Sequence, residues 1–305
     1  MNNIKFRNYV NNERFGSDYH KVVEFLKRVN KEEVVRPNYQ WSRWTWFISR
    51  PLDNESSKNL IGLWEDDGNV VALATFELSF GNVYVTVDKN YKFLLQDIIS
   101  YSKDKLSNNG ALKIIINDHD KEFQRVAAKN GFRPTQNKQC VARLEITDDM
   151  SYELPEGFTV TSMADNWDFH QYNNVMWRGF GSKGEPDQST EMIKWRKTML
   201  SSPHLTPEIT VAVAAPNGNY ASHCGLWYHP EEKYANVEPV ATDPDYRKMG
   251  LAKAAIYESV LRAAKLGAKE VYVVSSQQFY YNIGFRPYCT ETWWELEVES
   301  CKSDA

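Results

Sequence analysis

Cysteine is scarce in this chain: only 4 of its 305 residues are cysteine. They are scattered at Cys140, Cys224, Cys289 and Cys301, and no two of them form a C-x-x-C pair. A disulfide framework or a structural zinc site needs a recognisable cysteine spacing, so the sequence predicts neither. Scattered thiols are typical of a reducing compartment, and we therefore expect a cytoplasmic protein that holds no metal.

Long apolar runs and an excess of positive charge are also missing. No stretch approaches the ~18–20 apolar residues that a membrane helix requires. The first ten residues, M-N-N-I-K-F-R-N-Y-V, lack the apolar core of a signal peptide. The formal net charge of −4 gives no overall attraction to nucleic acid or to an anionic membrane. The sequence therefore predicts neither a membrane nor a nucleic acid as partner.

The chain is long enough for two hydrophobic cores and is rich in aromatic rings. Its 42% hydrophobic and 25% charged residues are typical of a soluble globular protein. At ~100–200 residues per domain, the length favours two domains. Aromatic residues make up 13% of the chain, and they are concentrated in Pro37–Phe47. Two interpretations of this segment stay open, a helix packed in the core and a set of rings that line a ligand pocket.

The most informative stretch runs from Val237 to Ile256 and reads V-E-P-V-A-T-D-P-D-Y-R-K-M-G-L-A-K-A-A-I. Its first part, Val237–Thr242, is rich in β-branched residues and predicts a buried strand. Asp243-Pro244-Asp245 ends that strand. Apolar residues then recur at spacings of three and four, which indicates an amphipathic helix with one face formed by Ala252, Ile256, Val260 and Ala263.

A basic turn with small residues, Arg247-Lys248-Met249-Gly250-Leu251-Ala252, lies where the helix begins. Such a turn directs free backbone N–H groups, the positive end of the helix dipole and two cations to one place, which suits a pyrophosphate. Gly250 allows the backbone to come close to phosphate oxygens, and Ala252 adds little bulk to the first helical turn. For Lys248, a solvated surface lysine remains the alternative.

Two motifs together resemble a known family. Arg247-x-x-Gly250-x-Ala252, between a strand and a helix, resembles the acetyl-CoA pyrophosphate loop of the GNAT superfamily of N-acetyltransferases. Phe279–Phe285, which reads F-Y-Y-N-I-G-F, resembles the second signature of that family, a tyrosine four residues before Gly-Phe. The resemblance implies an α/β fold with a mixed, mostly antiparallel sheet flanked by helices, and acetyl-CoA as co-substrate.

The two halves of the chain repeat. Gly131-Phe132-Arg133-Pro134 recurs as Gly284-Phe285-Arg286-Pro287, an offset of 284 − 131 = 153 residues. A period near half the chain predicts two like domains in tandem. We therefore expect a GNAT-like domain in residues 1–150 and a second one, which is catalytic, in residues 151–305.

The first copy lacks the residues of both signatures. Where the second copy has the basic turn, the first reads Asn90-Tyr91-Lys92-Phe93-Leu94-Leu95, which is shorter and has neither glycine nor alanine. Bulky side chains at this point would keep the backbone away from a pyrophosphate. Ala127 stands where the second copy has Tyr280. We therefore expect the first copy to bind no acetyl-CoA.

The resemblance assigns the donor site of the second copy residue by residue. Backbone groups of Val240, Ala241 and Thr242 would bind the pantetheine arm, and an N–H group of this strand would polarise the thioester carbonyl. The backbone from Arg247 to Ala252 would hold the pyrophosphate, with charge added by Arg247 and Lys248. These assignments cover Arg247, Lys248, Met249, Gly250, Leu251 and Ala252.

Two residues are candidates for proton transfer. Tyr280 matches the general acid of the family, which protonates the leaving thiolate of the coenzyme, whereas Tyr281 is the neighbouring alternative and a core ring is a second one. Glu238, on the strand before the turn, matches the position of an acidic residue that takes the proton of the amine in several members. Alternation puts it opposite Val237 and Pro239, so a solvent-facing carboxylate is equally compatible. His223 and His229 are secondary candidates.

The leading hypothesis is an N-acetyltransferase that moves an acetyl group from acetyl-CoA to a primary amine of a small molecule. The amine would attack the thioester directly in a ternary complex. Two alternatives stay open: N-acylation of a peptide or protein, including transfer of a longer acyl group, and a sensor that binds acyl-CoA without turnover. The sequence is compatible with a monomer or a homodimer.

Overall fold

Helices and strands alternate along the chain as the hydrophobic pattern indicates. The protein is described here from a computed structural model, which covers residues 3–31, 39–50 and 55–297. Cys301 and the first two residues of the aromatic segment Pro37–Phe47 lie outside this description. The described residues divide into two compact units. Unit 1 contains residues up to 48, 55–140 and 288 onwards, and unit 2 contains residues 49–50 and 141–287.

Unit 1 begins with a strand and two helices and continues with strands that are interrupted by helices. Its elements are β1 (Ile4–Asn8), α1 (Ser17–Asn30), α2 (Trp41–Ser49), β2 (Gly62–Asp66), β3 (Asn69–Phe76), β4 (Asn82–Val87), α3 (Leu95–Lys105), β5 (Lys113–Asn117), α4 (Lys121–Lys129) and the first part of β6 (Phe132–Glu145). With part of β12 (Arg286–Leu296), its strands follow the order β1-β2-β3-β4-β5-β12-β6.

The aromatic segment supplies much of the core of unit 1. Tyr39, Trp41 and Trp44 are fully buried, and Phe47 is nearly so. The last three lie on α2 at helical spacing, and burial of such large rings contributes strongly to stability. Of the two interpretations of this segment, the structure supports a helix packed in the core for the described residues.

Unit 2 has the same succession of elements. These are β7 (Thr159–Ser162), α5 (Phe169–Gly179), α6 (Thr190–Met199), β8 (Val211–Ala214), β9 (Tyr220–Tyr228), β10 (Tyr234–Thr242), α7 (Leu251–Leu266), β11 (Glu270–Val274) and α8 (Gln278–Asn282). Together with the second part of β6, its strands follow the order β6-β11-β10-β9-β8-β7. The predicted inward face of α7 is correct for three positions, since Ile256, Val260 and Ala263 are fully buried.

Most neighbouring strands are antiparallel. The exceptions among the described pairs are β4 with β5 and β10 with β11, which are parallel. The predicted α/β class, with a mixed and mostly antiparallel sheet flanked by helices, is therefore confirmed. The chain passes between the two units inside two strands, because β6 enters unit 2 after Cys140 and β12 enters unit 1 at Tyr288. The domain boundaries proposed near residue 150 concern the sequence repeat and stay a prediction.

Candidate donor-binding and active site

Strand β10 has a free edge at its carboxyl end. It pairs with β11 from Tyr234–Glu270 to Asn236–Tyr272, and within the described residues this pairing ends there. Strand β10 nevertheless continues to Thr242, and its other edge stays paired with β9 as far as Ser222. The two parallel strands therefore separate, and the backbone groups on the β11 side of β10 have no strand partner. Unpaired backbone groups of this kind seek hydrogen bonds from water or a ligand.

A β-bulge marks the point where the strands separate. Val237 pairs with Leu226 and Val240 pairs with Cys224, so Glu238 and Pro239 both stand opposite Gly225. A Cβ atom on Gly225 would lie 2.6 Å from the Glu238 carbonyl oxygen and 2.8 Å from Pro239 Cδ, so only glycine fits here. The Trp227 indole N–H donates to the same carbonyl at 2.8 Å.

The bulge invalidates the alternation argument for Glu238. Val237 and Val240 are three residues apart but pack against the same hydrophobic cluster, which a regular strand would not allow. The face of Glu238 therefore cannot be read from its neighbours, since an extra residue shifts the period. Its side chain is half-buried in the structure, not fully solvated.

After β10, the turn presents open backbone at the start of α7. Asp243 accepts a hydrogen bond from the Asp245 N–H at 3.0 Å and begins a short 3₁₀ turn, Pro244–Tyr246. Lys248 and Gly250 then both have left-handed backbone, with φ of 64° and 80°. Helix α7 starts at Leu251 without a side-chain cap, so its first N–H groups have no partner from within the helix. The predicted anion-binding geometry is therefore present at this helix start.

Arg247 forms hydrogen bonds with neighbouring backbone carbonyl groups. Its guanidinium donates to the Gly179 carbonyl at 3.2 Å and to the Thr242 carbonyl at 3.4 Å. Gly179 is the last residue of α5, and a Cβ atom there would lie 2.8 Å from Ala241 Cβ and 3.0 Å from the Thr242 nitrogen. The end of α5 therefore packs directly on the backbone of β10, and Arg247 connects the two.

A second arginine, Arg178, binds the carboxylate groups of the turn. Arg178 donates to both carboxylate oxygens of Asp243, at 2.6 and 3.1 Å, and to Asp245 at 2.6 Å. Two parallel bonds to one carboxylate hold the position of both groups more strictly than a single contact. No sequence pattern predicts this pair, because 65 residues separate Arg178 from Asp243.

These elements surround a cavity of about 740 Å³. Its wall includes Val240 and Thr242 from the strand, and Arg247, Lys248, Gly250, Leu251 and Ala252 from the turn and helix. Tyr280 completes this set from α8. Among the other predicted residues, Glu238, Ala241 and Met249 are not part of the wall. Ala241 is buried against α5, and Met249 is exposed.

Tyr280 is the best placed proton donor of the site. Its ring is 8% exposed and packs edge-on against Phe279 and Phe285, at centroid distances of 5.1 and 5.5 Å. Burial raises the pKa of Tyr280 well above its usual range, and the charge of Glu238 adds to the rise. The phenol therefore stays protonated at neutral pH, so it is able to donate a proton and unable to accept one. Tyr281 is not part of the cavity wall.

The two histidines lie outside the cavity wall. His223 is fully buried and packs against Trp167 and Tyr172. Burial lowers the pKa of His223 to about 3, so its ring is neutral. The Nδ1 atom of His229 accepts a hydrogen bond from the Glu231 N–H at 3.3 Å. Neither ring contributes to the site.

Seven residues of the cavity wall were not among the predicted site residues: Gly179, Phe180, Tyr246, Lys253, Gln277, Phe279 and Ile283. Lys253 on α7 adds a cation, and its ammonium lies 4.8 Å from the centre of the Tyr257 ring. Phe180 and Ile283 add apolar surface. The family motif ends at Ala252, so it gives no information on Lys253, and Phe180 lies some 60 residues before the motif in a glycine-rich segment.

Two further properties concern the described residues alone. No helix among them is long and apolar enough to span a membrane. No three side chains of histidine, cysteine, aspartate or glutamate within 3–31, 39–50 and 55–297 come together in a group that would hold a metal ion.

One family model matches the chain. It describes the acetyltransferase (GNAT) family, and it matches residues 168–285. This range contains α5, the bulged strand, the basic turn and Tyr280. A comparison with curated proteins finds no match.

Solved structures share the fold at low sequence identity. A GCN5-related N-acetyltransferase from Sphaerobacter thermophilus matches with a TM-score of 0.60 and 16% identity, over 96% of this chain and 95% of that chain. A tandem GNAT protein from the clavulanic acid biosynthesis pathway matches with a TM-score of 0.61 and 12% identity, over 97% and 100%. Saccharomyces cerevisiae N-myristoyltransferase matches with a TM-score of 0.57 and 11% identity, over 97% and 80%.

The family model identifies the domain, and the solved structures identify the fold over nearly the whole chain. At these identities the structures carry no information on substrates. The sequence motifs, the geometry of β10 and α7 and the family model agree on the same region. Residues 168–285 match the acetyltransferase (GNAT) family, and nearly the whole chain shares the fold of solved GNAT proteins.

Proposed function

We propose that this protein transfers an acetyl group from acetyl-CoA to a primary amine of a small molecule, by direct attack in a ternary complex. The donor would lie in the cavity of unit 2, with its pyrophosphate at residues 247–252. Its pantetheine arm would follow the free edge of β10 between Val240 and Thr242. The amine would attack the thioester carbonyl while Tyr280 protonates the departing thiolate.

One observation carries this proposal: the wall of a single cavity contains both an open helix start and a protonated phenol. Lys248, Gly250 and Lys253 give that cavity a positive end. Tyr280 and Val240 lie in the same cavity, next to the edge of the strand. The arrangement supports a donor with an anionic end and a thioester end, because each end meets the chemistry that it needs.

Glu238 is the proposed base for the amine. Its charge acts on the phenol of Tyr280, so the two side chains are close enough to interact electrostatically. Because Glu238 is not part of the cavity wall, we propose that a water molecule relays the proton from the amine. Replacement of Glu238 with glutamine should lower the rate most at neutral pH, where an amine needs a base. An unchanged pH profile would rule Glu238 out as the base.

The first test is donor binding to the full chain by calorimetry. Gly250→Glu places a bulky carboxylate at the helix start, so we expect acetyl-CoA affinity to fall by at least tenfold. Gly68→Glu is the matched control, because Gly68 also has left-handed backbone and open space around a Cβ position, and it lies in a hairpin turn of unit 1. Equal affinities in the two variants would contradict the proposed pyrophosphate site.

The second test separates an enzyme from a sensor. Release of the free coenzyme thiol is measured with acetyl-CoA over a panel of small amines, and over peptides with a free amino terminus. Thiol release that depends on a small amine supports the proposal, and release with peptides alone supports the peptide alternative. Tight binding without release on any acceptor would identify a sensor.

A third test addresses the acyl group. The likeness to N-myristoyltransferase and the apolar wall residues Phe180 and Ile283 make a longer acyl group the second candidate. We expect the rate to fall steadily from acetyl-CoA to longer saturated acyl-CoA. If the rate is highest with a long acyl group, the donor is a fatty acyl-CoA and not acetyl-CoA. The rest of the proposal would be unchanged.

A further inference from the structure

Unit 1 contains an unusually polar sheet face that the proposed acyl transfer does not use. Glu291 on β12 pairs directly with Asn117 on β5, so the two side chains share one face. Strand β4 contributes Tyr84 and Thr86 to this face, because Asn82 pairs with Lys113 and side chains repeat every second residue. We refer to these four residues as the polar face of unit 1.

Within residues 3–31, 39–50 and 55–297, the carboxyl group of Glu291 has no hydrogen-bond or ion-pair partner. Its side chain is only 3% exposed, and among the described residues it makes no hydrogen bond and no ion pair. The Thr86 hydroxyl on the same face is also buried without a hydrogen bond within the described part of the chain. Buried polar groups are nearly always paired, and an unpaired carboxylate is especially costly. Such a group indicates either a ligand or a retained proton.

The nearby charges are already engaged elsewhere. Arg43 on α2 donates to both carboxylate oxygens of Glu77, at 2.8 and 2.7 Å, and to the Tyr84 hydroxyl at 2.9 Å. Asp118 accepts bonds from two threonine hydroxyls and from Lys138, at 2.5, 2.6 and 3.1 Å. Among the described residues, Glu291 is therefore in direct contact with no cation, and the charge of Arg43 acts on it only at a distance.

Aromatic rings add a second feature that favours a cation. Trp293 follows Glu291 by two residues on β12, so it lies on the same face, and its ring packs edge-on against Tyr84 at 5.5 Å. Aromatic faces attract ammonium groups, and the effect is largest where water is excluded. A carboxylate beside such rings is the usual way in which proteins recognise an organic ammonium ion.

A cavity adjoins this face at Trp293, and Glu291 itself is not part of its wall. It has a volume of about 370 Å³ and is lined by Trp293 and by Asn82, which lies two residues before Tyr84. Lys113 and Lys138 are also in its wall. Each is paired with a carboxylate, Lys113 with Glu295 at 3.4 Å and Lys138 with Asp118 at 3.1 Å, which reduces their repulsion of a cation.

We propose that the polar face of unit 1 binds the ammonium group of an organic amine, with Glu291 as its counter-ion. The ligand class is a protonated primary amine with an apolar stem, which would lie against Trp293. This inference goes beyond the acyl-transfer site of unit 2 and does not depend on it.

The protonation of Glu291 provides a signature of binding. Burial raises the pKa of Glu291 to about 8, and the charge of Asp118 raises it further, whereas Arg43 opposes the rise. Lys113, Lys138, Glu77 and Glu295 are the other charged groups near this face. At pH 7 the empty site therefore holds a protonated carboxyl. A bound ammonium ion favours the carboxylate, so the proton must leave to solvent as the complex forms.

The experiment is calorimetry of the full chain with n-butylammonium chloride at pH 7, without any acyl-CoA. Titrations in two buffers of different ionisation enthalpy give the number of protons released, and we expect close to one per ammonium bound. Butan-1-ol and butyrate have similar stems without the positive charge and should not bind measurably. No heat with n-butylammonium, or equal binding of butan-1-ol, would overturn the proposal.

Two variants locate the site. Glu291→Gln preserves shape and should weaken n-butylammonium binding by at least tenfold and abolish proton release. Glu297→Gln, directly after the same strand and exposed, is the matched control and should change neither. If Glu291→Gln binds n-butylammonium as the wild type does, Glu291 is not the counter-ion. If Glu291→Gln does not fold, the proton release measured with the wild type tests whether Glu291 is the counter-ion.

The result is independent of the acyl-transfer proposal. Gly250→Glu alters the helix start in unit 2 and should leave n-butylammonium binding unchanged. Loss of acetyl-CoA binding with retained amine binding supports both proposals. Retained acetyl-CoA binding with no amine binding would overturn only this inference.

Discussion

The two units contain the same strand–turn–helix segment, and the differences between the copies are informative. In unit 1, the Asp88 N–H donates to the Val71 carbonyl at 2.9 Å, and the side chain of Asp88 caps the turn that follows. In unit 2, the Asp243 N–H donates to the Ala221 carbonyl at 3.0 Å, and Asp243 caps its turn in the same way. The backbone hydrogen bond of the aspartate and its cap on the following turn are thus present in both copies.

The connection to the helix differs. In unit 1, a 3₁₀ turn, Lys89–Leu94, runs directly into α3, and the Leu95 N–H donates to the Lys92 carbonyl. In unit 2, the left-handed Gly250 separates the turn from α7 and leaves the first helical N–H groups open. Lys92 itself binds Asp120 at 2.8 Å. The same fold therefore presents an open helix start in one copy and a closed turn in the other.

The strand before the turn also differs. The pairing of β3 with β4 is regular from Ala72–Val87 to Phe76–Val83, whereas β10 has a bulge opposite Gly225. Both copies have a parallel pair that is short, so separation of the strands is a property of the fold. The donor site needs three additions to this fold: a bulge, an open helix start and an acid.

The largest effect is expected from removal of the acid. Tyr280→Phe should lower turnover about 100-fold and leave acetyl-CoA affinity nearly unchanged, because a general acid acts mainly in the transition state. Stopped-flow thiol release and calorimetry measure the two quantities. Tyr281→Phe is the matched control and should keep full turnover. A loss of donor affinity in Tyr280→Phe instead would mean that the residue is structural.

The bulge is tested next with Gly225→Ala. The added Cβ atom would meet backbone at 2.6 Å, so we expect a loss of about 1–3 kcal/mol in the free energy of unfolding and a clear loss of donor affinity. Gly62→Ala in unit 1 is the comparison, since its crowded neighbours are the side chains of Tyr101 and Trp64. It should reduce stability but leave acetyl-CoA affinity unchanged. Equal donor affinity in both variants would argue against a role for the bulge.

A smaller effect is expected from Lys253, which the motif did not include. Lys253→Ala should weaken acetyl-CoA binding about two- to fivefold at low salt, because a single exposed cation near a helix start contributes only modestly. The difference should shrink at high salt. Lys265→Ala, in the last turn of the same helix, should have no effect. Calorimetry at two salt concentrations distinguishes the two lysines.

No change in donor binding is expected from the equivalent turn of unit 1. Phe93 is 60% exposed there, and Phe93→Gly should leave both the affinity and the stoichiometry of one acetyl-CoA per chain unaltered. The reason is that the turn of unit 1 offers no open helix start. A second equivalent of acetyl-CoA in the wild type, or residual binding in Gly250→Glu that Phe93→Gly removes, would assign a donor site to unit 1.

Local sequence patterns were sufficient to predict the fold class and the position of the basic turn at the start of α7. These depend on local properties: the glycine at Gly250, the periodicity of α7 and the Tyr280 signature are each encoded within a few residues. The tertiary structure decided the rest. Three features depend on residues that are distant in sequence. They are the bulge that invalidated the alternation argument for Glu238, the ion pair between Arg178 and Asp243, and the burial of Glu291 without a partner among the described residues. Pairing between distant residues is fixed only when strands and helices pack, so no local pattern could reveal it.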